Sequence, residues 1–436
     1  MMGAKMSSSQ LIAQDPAWTK QDFLYRIDQI AMELKNRNIQ KCGFYFDDAA
    51  LLACTLLACF RANVTVLLPP NLLAENKQWL DENSAYLFTD KDFTTFGISH
   101  KIENPSLDFP YQSQSEVWLK TSGSSGNAKI ITKNVAQMWA EGFALQRSLP
   151  LRAEDNLIVL GSVSPQHCYG LSFRVMYPLV MGWQIGRSQL PYPEFLLAES
   201  EKYQRTLWIS SPALLTHWQI PKHSPALSTI KGVVSAAGVL PETTATYLSS
   251  HLTCPIIEIY GSTETGAIAM RLPKQHWQPL PSIKLGLNQE ALWVEGDWMT
   301  GRQQTADAVE FYEDGFALMG RIDRIVKLGD KRVSLAKIEN HLFAHSLVSD
   351  CYVAQHPVKA RPAAWIALSP EGQALLQSQG KKVVVEVLQS YLHQHEEKFA
   401  IPRFWRFCEK LPRNSQSKIL KKDFDAIFSQ QDETTQ

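Results

Sequence analysis

The sequence predicts an α/β protein: a large N-terminal part of β-sheets with packed helices, and a small α+β tail. Three observations carry this. Residues 43–46 (GFYF), 49–60 (AALLACTLLACF) and 64–68 (VTVLL) read as strand, helix and strand, a β-α-β unit of the kind that builds parallel sheets. Strand-like and helical runs then keep alternating to about residue 260. From about Asp323 the pattern changes to short strands, a hairpin signal and separate helices, which is α+β. The expected domains are therefore 1–322 and 323–436, divided at the junction Gly320-Arg-Ile-Asp323. A chain of 436 residues is long enough to bury a large core in each part.

Residues 1–15 lack the apolar core and cleavage site of a secretory signal and read as a frayed leader. Next, Phe23, Leu24, Ile27, Ile30, Ala31 and Leu34 recur at helical spacing, which predicts an amphipathic helix over 23–34. The run 49–60 follows Asp47 and Asp48, good helix-starting residues; it is too short to span a bilayer and reads as a buried helix. No other stretch suggests a transmembrane segment. Lys plus Arg and Asp plus Glu are both 43, so no bulk field draws nucleic acid or an acidic membrane. Seven cysteines, widely spread and without a C-x-x-C pair, fit reduced thiols of a cytoplasmic protein.

Strands are expected at 86–89 and 117–119, the second leading into TSGSSGNAK at 121–129. Gly123 and Gly126 let the backbone approach a bulky anion. Backbone N–H groups and the hydroxyls of Thr121, Ser122, Ser124 and Ser125 can donate to it, and Lys129 adds charge. The segment is either a phosphate cradle or a flexible Gly/Ser turn. It is not the P-loop of common NTPases, in which Lys directly follows Gly and precedes Ser or Thr; here Asn127 and Ala128 intervene and Ile130 follows.

Beyond it, 135–148 reads as a helix and 156–160 as a strand, followed by Ser164-Pro-Gln-His-Cys-Tyr-Gly170. His167, beside an aromatic residue and a Gly, is a pocket-lining or a structural histidine. A strand at 207–209 precedes Ser210-Ser211-Pro212, where a helix can start. Another at 232–235 runs into Ala236, Ala237 and Gly238, small residues that admit a flat ring. The strand 256–259 ends in Tyr260-Gly261-Ser262-Thr263-Glu264-Thr265-Gly266. This turn offers a ring to stack on a base, an open backbone, hydroxyls for phosphate and a carboxylate for Mg²⁺, or else is only a polar turn. The tail has strands at 316–319 and 324–328, a hairpin signal at Gly329-Asp330, a helix at 336–344, a strand at 351–354, an amphipathic helix at 383–393 and a strand at 404–407. A polar loop, 411–420, then presents Lys418, which taken alone is a solvated surface charge.

Taken in order, the Ser/Gly loop with its Lys, P-x-H-x-Y-G, Y-G-S-T-E, an Asp, G-R-I-D-R-I-V-K and a C-terminal loop Lys resemble the adenylate-forming superfamily of acyl- and aryl-AMP ligases. The resemblance runs from about Phe23 to Phe424. It implies an enzyme that joins a carboxylic acid to AMP from ATP with Mg²⁺, releases pyrophosphate and passes the acyl group to a thiol. By the same resemblance Thr121, Ser122, Gly123, Ser124, Ser125, Gly126 and Lys129 would hold the β- and γ-phosphates, and His167 would sit by the carboxylate and α-phosphate. Ala236, Ala237, Gly238 and Tyr260, followed by Gly261, would sandwich adenine. Thr263 would contact the α-phosphate and Glu264 would hold Mg²⁺. Asp307, seven residues before Asp314, would bind the ribose with Arg321 assisting. Asp323 would be the hinge of a mobile C-terminal domain, and Lys418 its catalytic lysine. Departures are Ala306 in place of the usual Gly, Asn414 and Ser417 in place of Thr and Gly, and compression before the loop and between Gly266 and Asp307. Such a compact chain resembles the stand-alone ligases of aryl polyene pathways, which implies an aromatic acid such as a hydroxybenzoate and an acyl carrier protein. A synthetase using free coenzyme A on a fatty or aromatic acid is the alternative reading, and a non-catalytic nucleotide-binding scaffold a further one.

Overall fold

The computed structural model describes residues 6–121, 129–216, 218–221, 223–328, 331–359, 361–413 and 419–429. The Ser/Gly loop positions 122–128, the turn Gly329-Asp330 and Lys418 lie outside the described residues. The chain forms two compact units. One comprises the residues to Leu285 with Val294–Gln303; the other comprises Gly286–Trp293 with the chain from Gln304 onward.

In the first unit β1 (Leu11–Ala13) and β2 (Trp18–Thr19) precede the helix Lys20–Asn36. Thr19 starts that helix by accepting from the Asp22 amide at 3.1 Å, while Asp22 accepts from the Thr19 amide at 3.0 Å. Next come β3 (Lys41–Tyr45), the helix Ala49–Ala62, β4 (Thr65–Leu68), β5 (Tyr86–Thr89), β6 (Glu116–Lys120) and β7 (Ile130–Asn134). They form a five-stranded sheet in the order β5-β3-β4-β6-β7, parallel except for the hairpin β6–β7. The expected β-α-β unit is present. Its helix begins where the Asp48 carboxylate accepts from the amides of Ala50 (2.7 Å) and Leu51 (3.1 Å), and it is buried along nearly all its length.

After the helix Val135–Ser148 the chain adds β8 (Ile158–Gly161), β9 (Gln184–Gln189), β10 (Thr206–Ser210), β11 (Ile230–Ser235), β12 (Ile256–Ser262), β13 (Gly266–Arg271) and β14 (Gln278–Pro279). With β1 and β2 they make a nine-stranded sheet, in the order β14-β13-β12-β11-β10-β8-β9-β1-β2. The block from β12 to β9 is parallel throughout. β1 extends it alongside β9, with Ile12 and Ala13 fully buried. The frayed-leader reading of 1–15 therefore fails at Leu11. Apolar residues beside an open sheet edge gain burial and backbone pairing together, which a local reading of that polar stretch misses.

The second unit takes most of a four-stranded sheet, β15 (Lys284–Asn288), β16 (Ala291–Glu295), β17 (Gln303–Tyr312) and β18 (Gly315–Arg321), in sequence order. The hairpin of β19 (Ile325–Leu328) and β20 (Lys331–Ser334) follows, then the helix Leu335–Phe343. A sheet in the order β21 (Val348–Gln355), β22 (Pro362–Leu368), β23 (Phe404–Cys408) packs with that helix and with Pro370–Leu392 around Ile338, Leu342, Val353, Ile366, Val384 and Leu388, all fully buried. The helix expected at 383–393 is the second part of Pro370–Leu392, which breaks at Gly380 (φ +80°). The last described helix is Lys421–Ser429. Among the described residues no helix is long and apolar enough to cross a membrane, and all seven cysteines are free.

Candidate functional site

Parallel strands deliver their carboxyl ends to one edge of a sheet, and ligands of open α/β sheets bind in the loops there. In the first unit β8, β10, β11 and β12 are neighbours in the nine-stranded sheet, and each runs directly into a segment singled out from the sequence. β8 leads to Ser164–Gly170 with His167, β10 to Ser211 and Pro212, β11 to Ala236, Ala237 and Gly238, and β12 to Tyr260 and Glu264. Strand order gathers these segments although up to about a hundred residues separate them in the chain.

Hydrogen bonds stitch the loops together. The Tyr169 hydroxyl lies 3.0 Å from both the Ser210 and the Val234 carbonyl oxygens, at the ends of β10 and β11. Ser162 Oγ and Ser210 Oγ are 3.0 Å apart. Gly170 is packed so tightly that a Cβ there would lie 1.9 Å from the Ser164 carbonyl oxygen, which explains the Gly of the P-x-H-x-Y-G segment. His167 precedes a short helix, its carbonyl accepting from the Leu171 amide at 2.7 Å, and burial holds its imidazole below the usual pKa, so it is neutral at pH 7. Burial pushes the neighbouring Cys168 thiol up to about 11, which leaves it unreactive. Ser235 Oγ, buried at the end of β11, has no hydrogen-bond partner among the described residues.

Ala236 is buried and Ala237 and Gly238 are exposed, so the small residues after β11 leave an open ledge. Ala237 itself takes the left-handed backbone, with φ +67°. Tyr260 is half-buried, its ring centroid 5.8 Å from that of Trp277. In the turn after it, the Ser262 amide donates to Thr265 Oγ1 at 3.0 Å, and Glu264 is exposed. Thr121 and Lys129 close the base of the Ser/Gly loop: the Thr121 amide donates to the Lys129 carbonyl at 2.8 Å.

In the second unit Asp307 and Arg321 stand directly opposite each other on β17 and β18. The Asp307 amide donates to Thr305 Oγ1 at 3.1 Å. Asp323 lies in the 3-10 turn Ile322–Arg324, where the chain passes from the four-stranded sheet to the β19–β20 hairpin. Arg413 and Ile419 pair across the base of the loop that contains Lys418, and Arg413 forks onto Asp350 with contacts of 2.7 and 2.5 Å.

Two supports went unread in the sequence. Arg174 is fully buried within an apolar helical stretch. It donates to the carbonyls of Val163 (2.7 Å), Gly186 (3.0 Å) and Ser188 (2.8 Å), fixing the start of the segment that holds His167. One Arg inside LSFRVMYPLVM was the available signal. Lys133 and Glu141 form a buried pair behind the Tyr260 turn. Their ordinary look on a strand and a helix gave no signal at all.

Among the described residues no cluster of three or more His, Cys, Asp or Glu could hold a metal. The donor set therefore does not cage a divalent ion by itself. It fits Mg²⁺ in its usual manner, in which one or two carboxylates and substrate phosphates share the ion with water; Glu264 is an exposed carboxylate that could serve in that way.

Family models described as AMP-binding enzyme and AMP-binding enzyme C-terminal domain match residues 112–308 and 337–418. The chain is 23% identical over 318 residues to a 4-coumarate–CoA ligase of Halorhodospira halophila, covering 71% of this chain and 76% of that one. Its fold is similar to that of a solved anthranilate CoA ligase in complex with anthranoyl-AMP, with a TM-score of 0.81 over 98% of this chain and 95% of that one at 16% identity. An o-succinylbenzoate coenzyme A synthetase from Bacillus subtilis, solved with ATP and magnesium ion, gives 0.74 over 94% and 95% at 16% identity.

Proposed function

This chain belongs to the adenylate-forming superfamily of AMP-binding enzymes, and we propose that within it the protein activates an aromatic carboxylic acid, such as a hydroxybenzoate, as its acyl-AMP and transfers the acyl group to a phosphopantetheine thiol. The general activity is that of an AMP-forming acyl or aryl ligase. The observation that carries the reading is the convergence of the His167, Ser211–Pro212, Ala236–Gly238 and Tyr260–Glu264 segments on the carboxyl ends of four adjacent parallel strands. Small residues at those ends, Ser162, Ser210, Ser235 and Ala236, support a flat ring as the acid's body, because they leave volume that larger side chains would fill. The 4-coumarate and anthranilate substrates named for the relatives are aromatic acids, which supports the same choice.

In the first step an oxygen of the carboxylate bonds to the α-phosphorus of ATP, the bond to the bridging oxygen breaks, and pyrophosphate leaves. Two anionic groups must meet, so the residues' work is mostly neutralisation and alignment. Thr121, the Ser/Gly loop and Lys129 take the β- and γ-phosphates. Thr263 and the neutral His167 take the α-phosphate and the acid. Asp307, with Arg321, takes the ribose, and Lys418 stabilises the charge of the transition state. Glu264 would hold Mg²⁺, which would supply further neutralisation of the phosphates. In the second step the thiol loses its proton, its sulfur bonds to the acyl carbon, and AMP departs. The mixed anhydride is activated enough for that exchange. We place the hinge between the steps at Asp323, where the chain changes sheet, and the protein in the cytoplasm.

The thiol is borne either by an acyl carrier protein or by coenzyme A, which share the phosphopantetheine arm; the names of the relatives favour coenzyme A. The test is pyrophosphate release with ATP and Mg²⁺ across hydroxybenzoates, cinnamates and fatty acids, with Lys418→Ala as control. Addition of coenzyme A or of a phosphopantetheinylated carrier protein follows. Release selective for one aromatic acid and lost in Lys418→Ala is the expected result. Release only with fatty acids refutes the aromatic choice, and ATP binding without release for any acid refutes the ligase.

A further inference from the structure

Glu141, on the helix Val135–Ser148, accepts from the Ala267 amide at 2.9 Å through one carboxylate oxygen. Its other oxygen lies 3.4 Å from Lys133 Nζ, on β7. Both side chains are only 5% exposed. Burial pulls the Lys133 pKa down, but the Glu141 charge and hydrogen bond, together with Cys168, more than offset this, so the ammonium stays charged.

The carboxylate leaves the turn behind Tyr260 no slack. Gly266 takes φ +65°, and a Cβ on it would lie 2.8 Å from Glu141 Oε1. Gly261 is as tightly closed, its Cβ position 2.1 Å from the Gly266 carbonyl oxygen. The Ala267 carbonyl is held from the far side by Trp298 Nε1 at 3.1 Å. Lys133, for its part, sits on the strand that begins immediately after Lys129, at the outgoing base of the Ser/Gly loop.

A buried ion pair loses in desolvation about what it gains in attraction, and an apolar pair of similar volume serves stability as well or better. What an apolar pair cannot do is accept from the Ala267 amide. We propose that Glu141 is a positioning residue for the ligase reaction, its carboxylate accepting from the Ala267 amide to fix the backbone of the Tyr260–Gly266 turn for MgATP, while Lys133, on the strand that follows the Ser/Gly loop, neutralises its buried charge. This deepens the ligase reading and rests on it.

The test uses the full chain and equilibrium binding of MgATP without the acid, alongside the KM for the acid and thermal unfolding. Lys133→Met with Glu141→Gln removes both charges but keeps an oxygen for the Ala267 amide, and should keep MgATP affinity within about threefold. Lys133→Met with Glu141→Leu removes the acceptor and should weaken MgATP about tenfold or more, leaving the KM for the acid nearly unchanged. Leu248→Ala, a core cavity in the same unit, supplies a comparable loss of thermal stability and should not move MgATP affinity. If the leucine variant does not fold, Glu141→Gln alone should weaken MgATP, and adding Lys133→Met should restore it, because the second change relieves the unpaired ammonium. Wild-type affinity in the leucine variant, an equal loss in Leu248→Ala, or failure of that restoration overturns the proposal. A wild-type chain that binds no MgATP refutes the ligase reading itself and this inference with it.

Discussion

Replacing Tyr169 by Phe deletes one oxygen and tests whether the loops at the carboxyl ends of β10 and β11 are held as described. The hydroxyl has one proton and two acceptors at 3.0 Å, the backbone carbonyls of Ser210 and Val234. It serves one fully or both in part. The ring keeps its edge contact with Phe173 at 5.2 Å, so packing is conserved and only the polar interaction goes. Leaving a buried acceptor unsatisfied costs about 1–3 kcal/mol. At about 2–4 °C per kcal/mol for a unit of this size, the midpoint of its thermal transition should fall by about 2–12 °C. Burial lifts the phenol pKa well above its ordinary value, so the difference should be constant from pH 6 to pH 9. Scanning calorimetry of both proteins reads the shift, and steady-state pyrophosphate release should show KM for the acid rising as the strand ends loosen. A midpoint unchanged within a degree, with unchanged KM, would show that the hydroxyl positions nothing.

Two further outcomes follow from buried charge. Arg271 forks onto Glu258 at 2.8 and 2.9 Å, and Glu258 is 3% exposed, so Arg271→Met should cost about 3–5 kcal/mol by urea unfolding and adding Glu258→Met should recover most of it; equal losses in single and double variants would contradict this. Burial keeps the folded pKa of His167 below the value of about 6.5 that it has when unfolded. Its contribution is therefore present above pH 6.5 and is lost as pH falls from there toward the folded value. The stability difference between wild type and His167→Gln should be flat above pH 7.5 and shrink below 6.5, whereas a pH-independent difference would mean that the imidazole is not buried neutral. Burial shifts His341, His345 and His356 the same way, which is why the difference is the quantity to read.

What could be read in advance was whatever a segment declares by itself. The helix Val135–Ser148 was legible at both ends because Asn134 and Gln137 form a capping box at one end and the apolar spacing stops before Pro150 at the other. β3 and β4 were legible because strands covered on both faces are continuous apolar runs. The three-residue strand β1, the polar β17 (QQTADAVEFY) and β22, which opens on Pro-Ala-Ala, declare little, because their partners supply the reason for their conformation. The site divides in the same way. Gly and small hydroxyl residues after apolar runs marked the loops, since turns and close approaches demand them locally. Their gathering depends on the order β8-β10-β11-β12, and the bond from Glu141 to the Ala267 amide spans 126 positions.

Ala237 shows the boundary most sharply. Gly238 is the residue that a reader would assign a left-handed backbone, yet its own Cβ position would meet only Pro212 at an ordinary 3.5 Å. Ala237 takes φ +67° instead, at a cost of about 1–2 kcal/mol. That cost is borne where β11 ends, between Ser235, whose buried hydroxyl has no partner among the described residues, and the exposed Gly238. Strain and an unsatisfied hydroxyl side by side are what folding alone would remove. Their persistence at the carboxyl end of a central parallel strand argues that this ledge is shaped for a ligand rather than for the stability of the sheet.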